Sequence, residues 1–143
     1  MIVRELLKSD IDKIVNLEKE FNDRWNFNQL SSAFDGGRFY SLGAFDGQNL
    51  IAFVSFSVAI DTSDIEMVLV SSAYRRKGIA KTLIENAQNK LINLGVEKVF
   101  LEVRESNVPA KALYGGLGYK EISVRKKYYP DGENATIMAK ELL

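Results

Sequence analysis

The sequence predicts a mixed α/β fold: a central, mostly antiparallel, twisted sheet flanked by helices, with elements in the order βααβββαβαββ. Three observations predict it. A run with helical periodicity, Gly78 to Leu94, lies between two β-rich runs, 64–70 and 97–104, and reads as one crossover around a central helix. Two earlier β-rich runs, 38–46 and 50–60, meet at Asp46-Gly47, a hairpin signal. Two late runs, Tyr119–Arg125 and Ala135–Lys140, flank a turn at Pro130-Asp131-Gly132.

Taken in order, residues 2–7, IVRELL, read as a short first strand. Ser9 and Asp10 offer N-cap oxygens to a helix whose apolar side is Ile11, Ile14, Val15 and Leu17. A second short helix is expected over Phe27 to Phe34, after the irregular FNDRWN. The hairpin follows, then the strand DIEMVLV. In the central helix, Ile79, Leu83, Ile84, Ala87, Leu91 and Leu94 recur at steps of three and four, and Gly95 suits its C-terminal cap. After the strand EKVFLEVR, Asn107 and Pro109 start a helix through Leu113, with Tyr114 near its end. The final two strands complete the sheet. The chain carries no repeat, low-complexity segment or linker, so residues 1–143 read as a single domain.

Composition narrows the chemistry. With 143 residues, 46% of them hydrophobic, the chain has ample material for a core. Nineteen basic and nineteen acidic residues cancel, so no global field draws it to nucleic acid or to an anionic membrane. Any anion site must be local. There is no cysteine and no histidine, hence no disulfide framework, thiol nucleophile, Ser-His triad or imidazole metal ligand. Acid–base work must fall to carboxylate, tyrosine, lysine, a terminus or water. The N-terminus lacks the long apolar core of a signal peptide, and no run approaches membrane-spanning length, so a cytoplasmic protein is expected.

Two stretches could carry chemistry. In YRRKGIAKTL, residues 74–83, three cations and a glycine precede a helix start. The P-loop pattern fails, because Ala73 stands where its first glycine belongs and Lys77 precedes Gly78; the dinucleotide fingerprint fails because only Gly78 is present. A strand, a polar turn and a helix start still aim several free N–H groups at one point, which is an anion site by geometry. A solvated basic loop fits the spacing equally well. In FLEVRESNVPAKALYGGLGY, residues 100–119, Glu102 points to the opposite face from Leu101 and Val103, and Tyr114 lies on the next helix. The two could flank one reacting centre as base and acid. Taken alone, a surface glutamate paired with Lys98 or Arg104, beside a half-buried core tyrosine, is the plainer reading.

Together the stretches resemble the GNAT superfamily of N-acetyltransferases. Its signature R/Q-x-x-G-x-G/A is matched by Arg75-Arg76-Lys77-Gly78-Ile79-Ala80, after a strand and before a helix. Combined with LEVRESN, ALYGGLGY and VRKKYYPDGENATIM, the pattern is similar to the RimI-type enzymes within it, which acetylate the N-terminal alanine of a ribosomal protein. The likeness is strong over 64–140; before that, FNDRWNFNQLSSAF occupies the place of the family's F-P-W-S segment.

The resemblance implies acetyl-CoA as donor, no metal, and direct transfer to a protein N-terminus without an acyl-enzyme. It places the coenzyme's pyrophosphate on the amides of Arg75, Arg76, Lys77, Gly78, Ile79 and Ala80, and the pantetheine along Val68, Leu69 and Val70 like an added strand. It further implies that Asn107 hydrogen-bonds the coenzyme, that Glu102 is general base and Tyr114 general acid, and that the Val70 N–H stabilises the oxyanion. In relatives the loop after the first helix, here roughly Phe21 to Phe27, and the last hairpin, Arg125 to Gly132, clamp the acceptor; Tyr128 and Tyr129 are the candidate contacts. For either tyrosine singly, stacking that closes the hairpin is an equal alternative, and Arg125-Lys126-Lys127 reads as a solvated edge. Gly115-Gly116 replaces the family's polar pair after Tyr114 and is expected to loosen that helix end. A GNAT enzyme for a small amine or a lysine side chain, and a non-catalytic acyl-CoA-binding module, remain as alternatives.

Overall fold

The structure, a computed structural model, describes residues 1–21 and 24–142. The strands are β1 (Ile2–Glu5), β2 (Phe39–Asp46), β3 (Asn49–Val58), β4 (Thr62–Val70), β5 (Lys98–Arg104), β6 (Lys120–Arg125) and β7 (Ala135–Glu141). The helices are α1 (Ile11–Glu18), α2 (Phe27–Asp35), α3 (Ile79–Asn93) and α4 (Val108–Gly116). The strands form one seven-stranded sheet in the spatial order β1-β2-β3-β4-β5-β7-β6. Every neighbouring pair is antiparallel except β4 and β5, which run parallel and are joined through α3. The predicted order of elements holds along the whole chain. Among the described residues no helix is long and apolar enough to cross a membrane.

Both faces of the sheet are covered. On one, α3 buries Ile79, Leu83, Ile84, Ala87 and Leu91 against Val54, Phe56, Val99 and Leu101. On the other, Ile11, Ile14, Leu17 and Leu30 pack on Phe45, Phe53, Met67 and Leu69. Each such aliphatic side chain contributes about 1.5–3 kcal/mol by leaving water. Asn26 and Gln29 form a reciprocal capping box at the start of α2, at 2.8 and 2.9 Å. Gly95 takes the left-handed conformation, φ 90°, beyond α3.

Two local expectations change. The Asp10 side chain does not cap α1; its carboxylate accepts the Leu7 N–H at 2.8 Å and pairs with Arg4 at 2.9 Å. The Arg4 hydrogen bonds hold this carboxyl below the usual range, so it fastens the turn before α1 to the end of β1. The last helix does not stop at Leu113 but continues through both glycines to Gly116. Two glycines cost roughly 1 kcal/mol each in a helix. The buried Leu117 and Tyr119 hold the final turn, the Leu117 N–H bonding to the Leu113 and Tyr114 carbonyls and the Tyr119 N–H to Tyr114 O at 3.0 Å.

Strand β4 carries the feature that matters most. Its register with β3 steps from Met67 opposite Ser55 to Ile65 opposite Phe56, leaving Glu66 as an extra residue. The bulge reverses the side-chain alternation, so Ile65 and Val68 face the α3 core while Met67 and Leu69 face the α1–α2 core. Beyond Ile65, β4 and β5 part: their pairing runs only from Thr62–Lys98 to Ile65–Leu101.

Candidate active site

The parting of β4 from β5 opens a gap whose wall is main chain. Residues 67–70 stay paired with β3, and the Ser71 N–H donates to Ile51 O at 2.8 Å in the same register. In an antiparallel ladder, bonded and non-bonded pairs alternate. Ser71, Leu69 and Met67 therefore turn their N–H and C=O groups to β3, and Val70 and Val68 turn theirs into the gap. The three residues predicted to line the pantetheine thus divide. Val68 and Val70 turn their polar groups into the gap, where the Val70 carbonyl accepts from Arg75 Nε, whereas Leu69 has its backbone engaged and its side chain buried in the α1–α2 core.

At one end of this wall stands the loop from Arg75 to Ala80. Arg76 and Gly78 both take positive φ, 63° and 72°, and α3 begins at Ile79. Successive amides in such a conformation form a concavity that suits an anion. Among the described residues, no N–H from Arg75 to Lys81 donates to a backbone carbonyl. A Cβ built on Gly78 meets nothing within 4 Å, so the space beside this glycine is open. The loop is braced from outside. Glu20 accepts from the Ser71 hydroxyl at 2.8 Å and the Ser72 N–H at 2.9 Å, and the Tyr74 hydroxyl donates to Asp46 at 2.5 Å. Arg75 Nε donates to the Val70 carbonyl at 3.3 Å and its guanidinium lies 5.6 Å from the Phe21 ring centre, while Lys77 stands over Tyr74. Asn107 caps α4, its Oδ1 accepting the Ala110 N–H at 3.1 Å.

Beside the gap, Glu102 and Tyr114 lie on opposite faces of the sheet. Glu102 projects away from the α3 core, opposite Ile137 of β7. A cation beyond those two stands by it: Arg125 Nη1 is 3.5 Å from Glu102 Oε1, and the Tyr128 phenol lies within the influence of the same carboxylate. The interaction with Glu102, with burial, raises the Tyr128 phenol pKa. Asp64 lies nearby, its carboxyl pushed up by burial and by the Glu102 charge and pulled back by Arg125. Tyr114 is 8% exposed and packs edge-on against Tyr119 at 6.0 Å, whose hydroxyl is anchored to Gln88 at 2.9 Å. Burial, then the neighbouring Tyr129, pushes the Tyr114 phenol up to about 12. Tyr128 and Tyr129 meet edge-to-face at 5.1 Å, and Arg104 lies 4.1 Å over the Tyr129 ring.

Sequence reading missed several of these partners. Arg125 is exposed on the edge strand, as expected, but it also stands beside Glu102, reaching it across β7, where Arg104 and Arg125 both flank the small Ala135. Only the strand order, with β7 between β5 and β6, reveals that. Glu18 was also missed: buried at 1% exposure, it accepts the Trp25 N–H at 2.6 Å with one oxygen and, among the described residues, has no hydrogen-bond partner for the other. Of the predicted acceptor loop Phe21 to Phe27, Asn22 and Asp23 lie outside the described residues.

A mixed sheet split between its parallel strands, with an anion-cradling helix start at one end of the split and a carboxylate and a tyrosine flanking it, defines a transferase that takes an acyl-coenzyme A donor. The chain belongs to the acetyltransferase (GNAT) family, whose sequence model matches residues 3–119. It is 31% identical to the ribosomal protein bS18-alanine N-acetyltransferase of Haemophilus ducreyi over 143 residues, 96% of this chain and 98% of that one. An N-alpha-acetyltransferase of Saccharolobus solfataricus is 49% identical over 76 residues, 52% of this chain and 46% of that one. Among solved structures, the ribosomal-protein-S18-alanine N-acetyltransferase of Escherichia coli superposes with a TM-score of 0.91 at 30% identity, covering 99% of this chain and 93% of that one.

Proposed function

We propose that the whole chain, residues 1–143, acts as one N-acetyltransferase domain that moves the acetyl group of acetyl-CoA directly to the N-terminal α-amino group of a protein. The acceptor is a ribosomal protein, as it is for the bS18-alanine enzymes it resembles, and the place of action is the cytoplasm. The observation that carries this reading is the juxtaposition of Val68 and Val70, with backbone groups turned into the gap, and Glu102 beside the same gap with Arg125 on its carboxylate.

In this reading the amides of Arg75 to Ala80 hold the pyrophosphate, and Val68 and Val70 pair with the amides of the pantetheine arm. Asn107 uses its oxygen for the helix cap and offers its amide N–H to the coenzyme. Glu102 takes the proton of the incoming ammonium, whose reference pKa is about 8, directly or through water. The Val70 N–H faces the carbonyl oxygen as charge develops on it. Tyr114 faces the departing sulfur. A phenol near 12 keeps its proton across the neutral range. Full transfer to a thiolate of reference pKa about 8.5 is uphill by roughly 5 kcal/mol, so Tyr114 acts first as a hydrogen-bond donor to that sulfur. Tyr128 and Tyr129 line the acceptor path.

The test is a competition of N-terminal peptides and small amines for acetyl-CoA, read by mass spectrometry. Peptides acetylated on the α-amino group are expected. Acetylation confined to small amines sinks the reading.

A further inference from the structure

The end of β5 carries more than Glu102. Three consecutive residues there tie down the β6–β7 hairpin. Arg104 Nη1 pairs with Asp131 at 2.8 Å and Glu133 at 3.1 Å, and its guanidinium lies over Tyr129 at 4.1 Å. The Glu105 N–H donates to Asn134 O at 3.0 Å, and Asn134 Nδ2 donates back to the Glu105 carboxylate at 3.1 Å. The Ser106 N–H donates to Glu133 at 2.8 Å. The next residue, Asn107, caps the helix that bears Tyr114. Strand, hairpin and helix are therefore fastened at one point.

Within that fastening Arg104 is different from its neighbours. Glu105 and Ser106 bind the chain of the hairpin; Arg104 also binds a ring. Tyr129 meets Tyr128 edge-to-face at 5.1 Å, and Tyr128 lies 5.8 Å from the Arg125 guanidinium that stands beside Glu102. A line of contacts thus runs from Arg104 through both tyrosines and Arg125 back to the carboxylate two residues earlier on the same strand. The planar fork of arginine serves two carboxylates and a ring face at once, which the point charge of lysine does not. The side chain is only 25% exposed, so these contacts are partly shielded from water.

We propose that Arg104 is a positioning residue for the acceptor, setting Tyr129, and through it Tyr128, over the acceptor end of the gap. This rests on the reading of the hairpin as the acceptor's contact surface. It assigns a graded role in acceptor recognition to a residue that touches neither substrate.

Steady-state kinetics of Arg104→Met and Arg104→Lys, with peptide and acetyl-CoA varied separately, test it alongside melting temperatures. Arg104→Met should raise the peptide KM about tenfold and leave the acetyl-CoA KM within twofold; Arg104→Lys should fall between. Combined with Tyr129→Leu, Arg104→Met should add little further. Glu133→Gln weakens the same attachment from the hairpin side and supplies the readout if Arg104→Met does not fold. A lowered melting temperature with the peptide KM unchanged, or both KM values rising together, overturns the proposal and leaves Arg104 a structural staple. If the wild type acetylates only small amines, the N-terminal reading falls instead, and the Arg104 proposal stands or falls on the amine KM in the same variants.

Discussion

From Val68 to Ala80 the molecule presents main chain; from Glu102 to Glu133 it presents side chains that cross between strands and hairpin. The first region is fixed by backbone geometry: a bulge at Glu66, a strand freed on one edge, positive φ at Arg76 and Gly78. In the proposed binding mode its three cations are accessories to the amides. The second is a mesh of Glu102, Arg104, Arg125, Tyr128, Asp131 and Glu133, in which each group is placed by another. The region proposed to hold the donor should therefore tolerate side-chain truncation. The region proposed to hold the acceptor should not.

The largest expected effect is on the backbone region, from a change that fills it. Gly78→Glu puts a side chain and a negative charge into the open space beside this glycine, at a φ that disfavours any Cβ. Acetyl-CoA binding by calorimetry should fall at least a hundredfold; affinity within tenfold of wild type would break the comparison. Next come the reacting groups. Glu102→Gln and Tyr114→Phe should each lower the saturated transfer rate on the order of 10²-fold with little change in melting temperature. Rates within a few-fold of wild type would remove the acid–base assignment. Because Tyr114 holds its proton to about 12, its deprotonation sets no alkaline limb at lower pH. A limb below that value should persist, at the same pH, in the residual activity of Tyr114→Phe.

Smaller effects sharpen the contrast. Arg75→Ala or Lys77→Ala should raise the acetyl-CoA KM only a few-fold, since amides do most of the holding; a hundredfold rise would shift that work to the cations. The smallest expected change concerns Glu18. Burial raises its carboxyl pKa, against the lowering effects of the Trp25 N–H and Arg24. A raised folded-state pKa contributes stability below the unfolded value of about 4.3, and that stability is lost as pH rises through the folded value. Glu18→Gln keeps an acceptor for Trp25 without the charge. It should raise the melting temperature at pH 7 and leave it nearly unchanged at pH 4, as thermal denaturation at the two pH values would show.

The same contrast explains what the sequence could disclose. The donor region is written in consecutive residues: a helix period from Ile79, a glycine at the required step and a strand just before it. Local spacing suffices there. The bulge at Glu66 has no such mark, since DIEMVLV alternates no differently from a regular strand until β3 and β5 supply its register. Glu102 and Tyr114 were placed correctly on strand and helix, but their partners lie far along the chain. Arg125 meets Glu102 only because β7 inserts between their strands, and Arg104 meets Glu133 only because the hairpin folds back. Helix α4 outran its expected end because Leu117 and Tyr119, both buried, outweigh two glycines.

The bond from Arg75 Nε to the Val70 carbonyl has a consequence for donor affinity. That carbonyl points into the gap, so in the free protein the guanidinium already occupies an acceptor that a pantetheine amide would take. In the proposed binding mode the donor displaces Arg75 from this carbonyl and does not simply add an ion pair. Removing the guanidinium, as in Arg75→Ala, should accordingly cost less acetyl-CoA affinity than losing a cation suggests, because the same change frees that carbonyl for the donor.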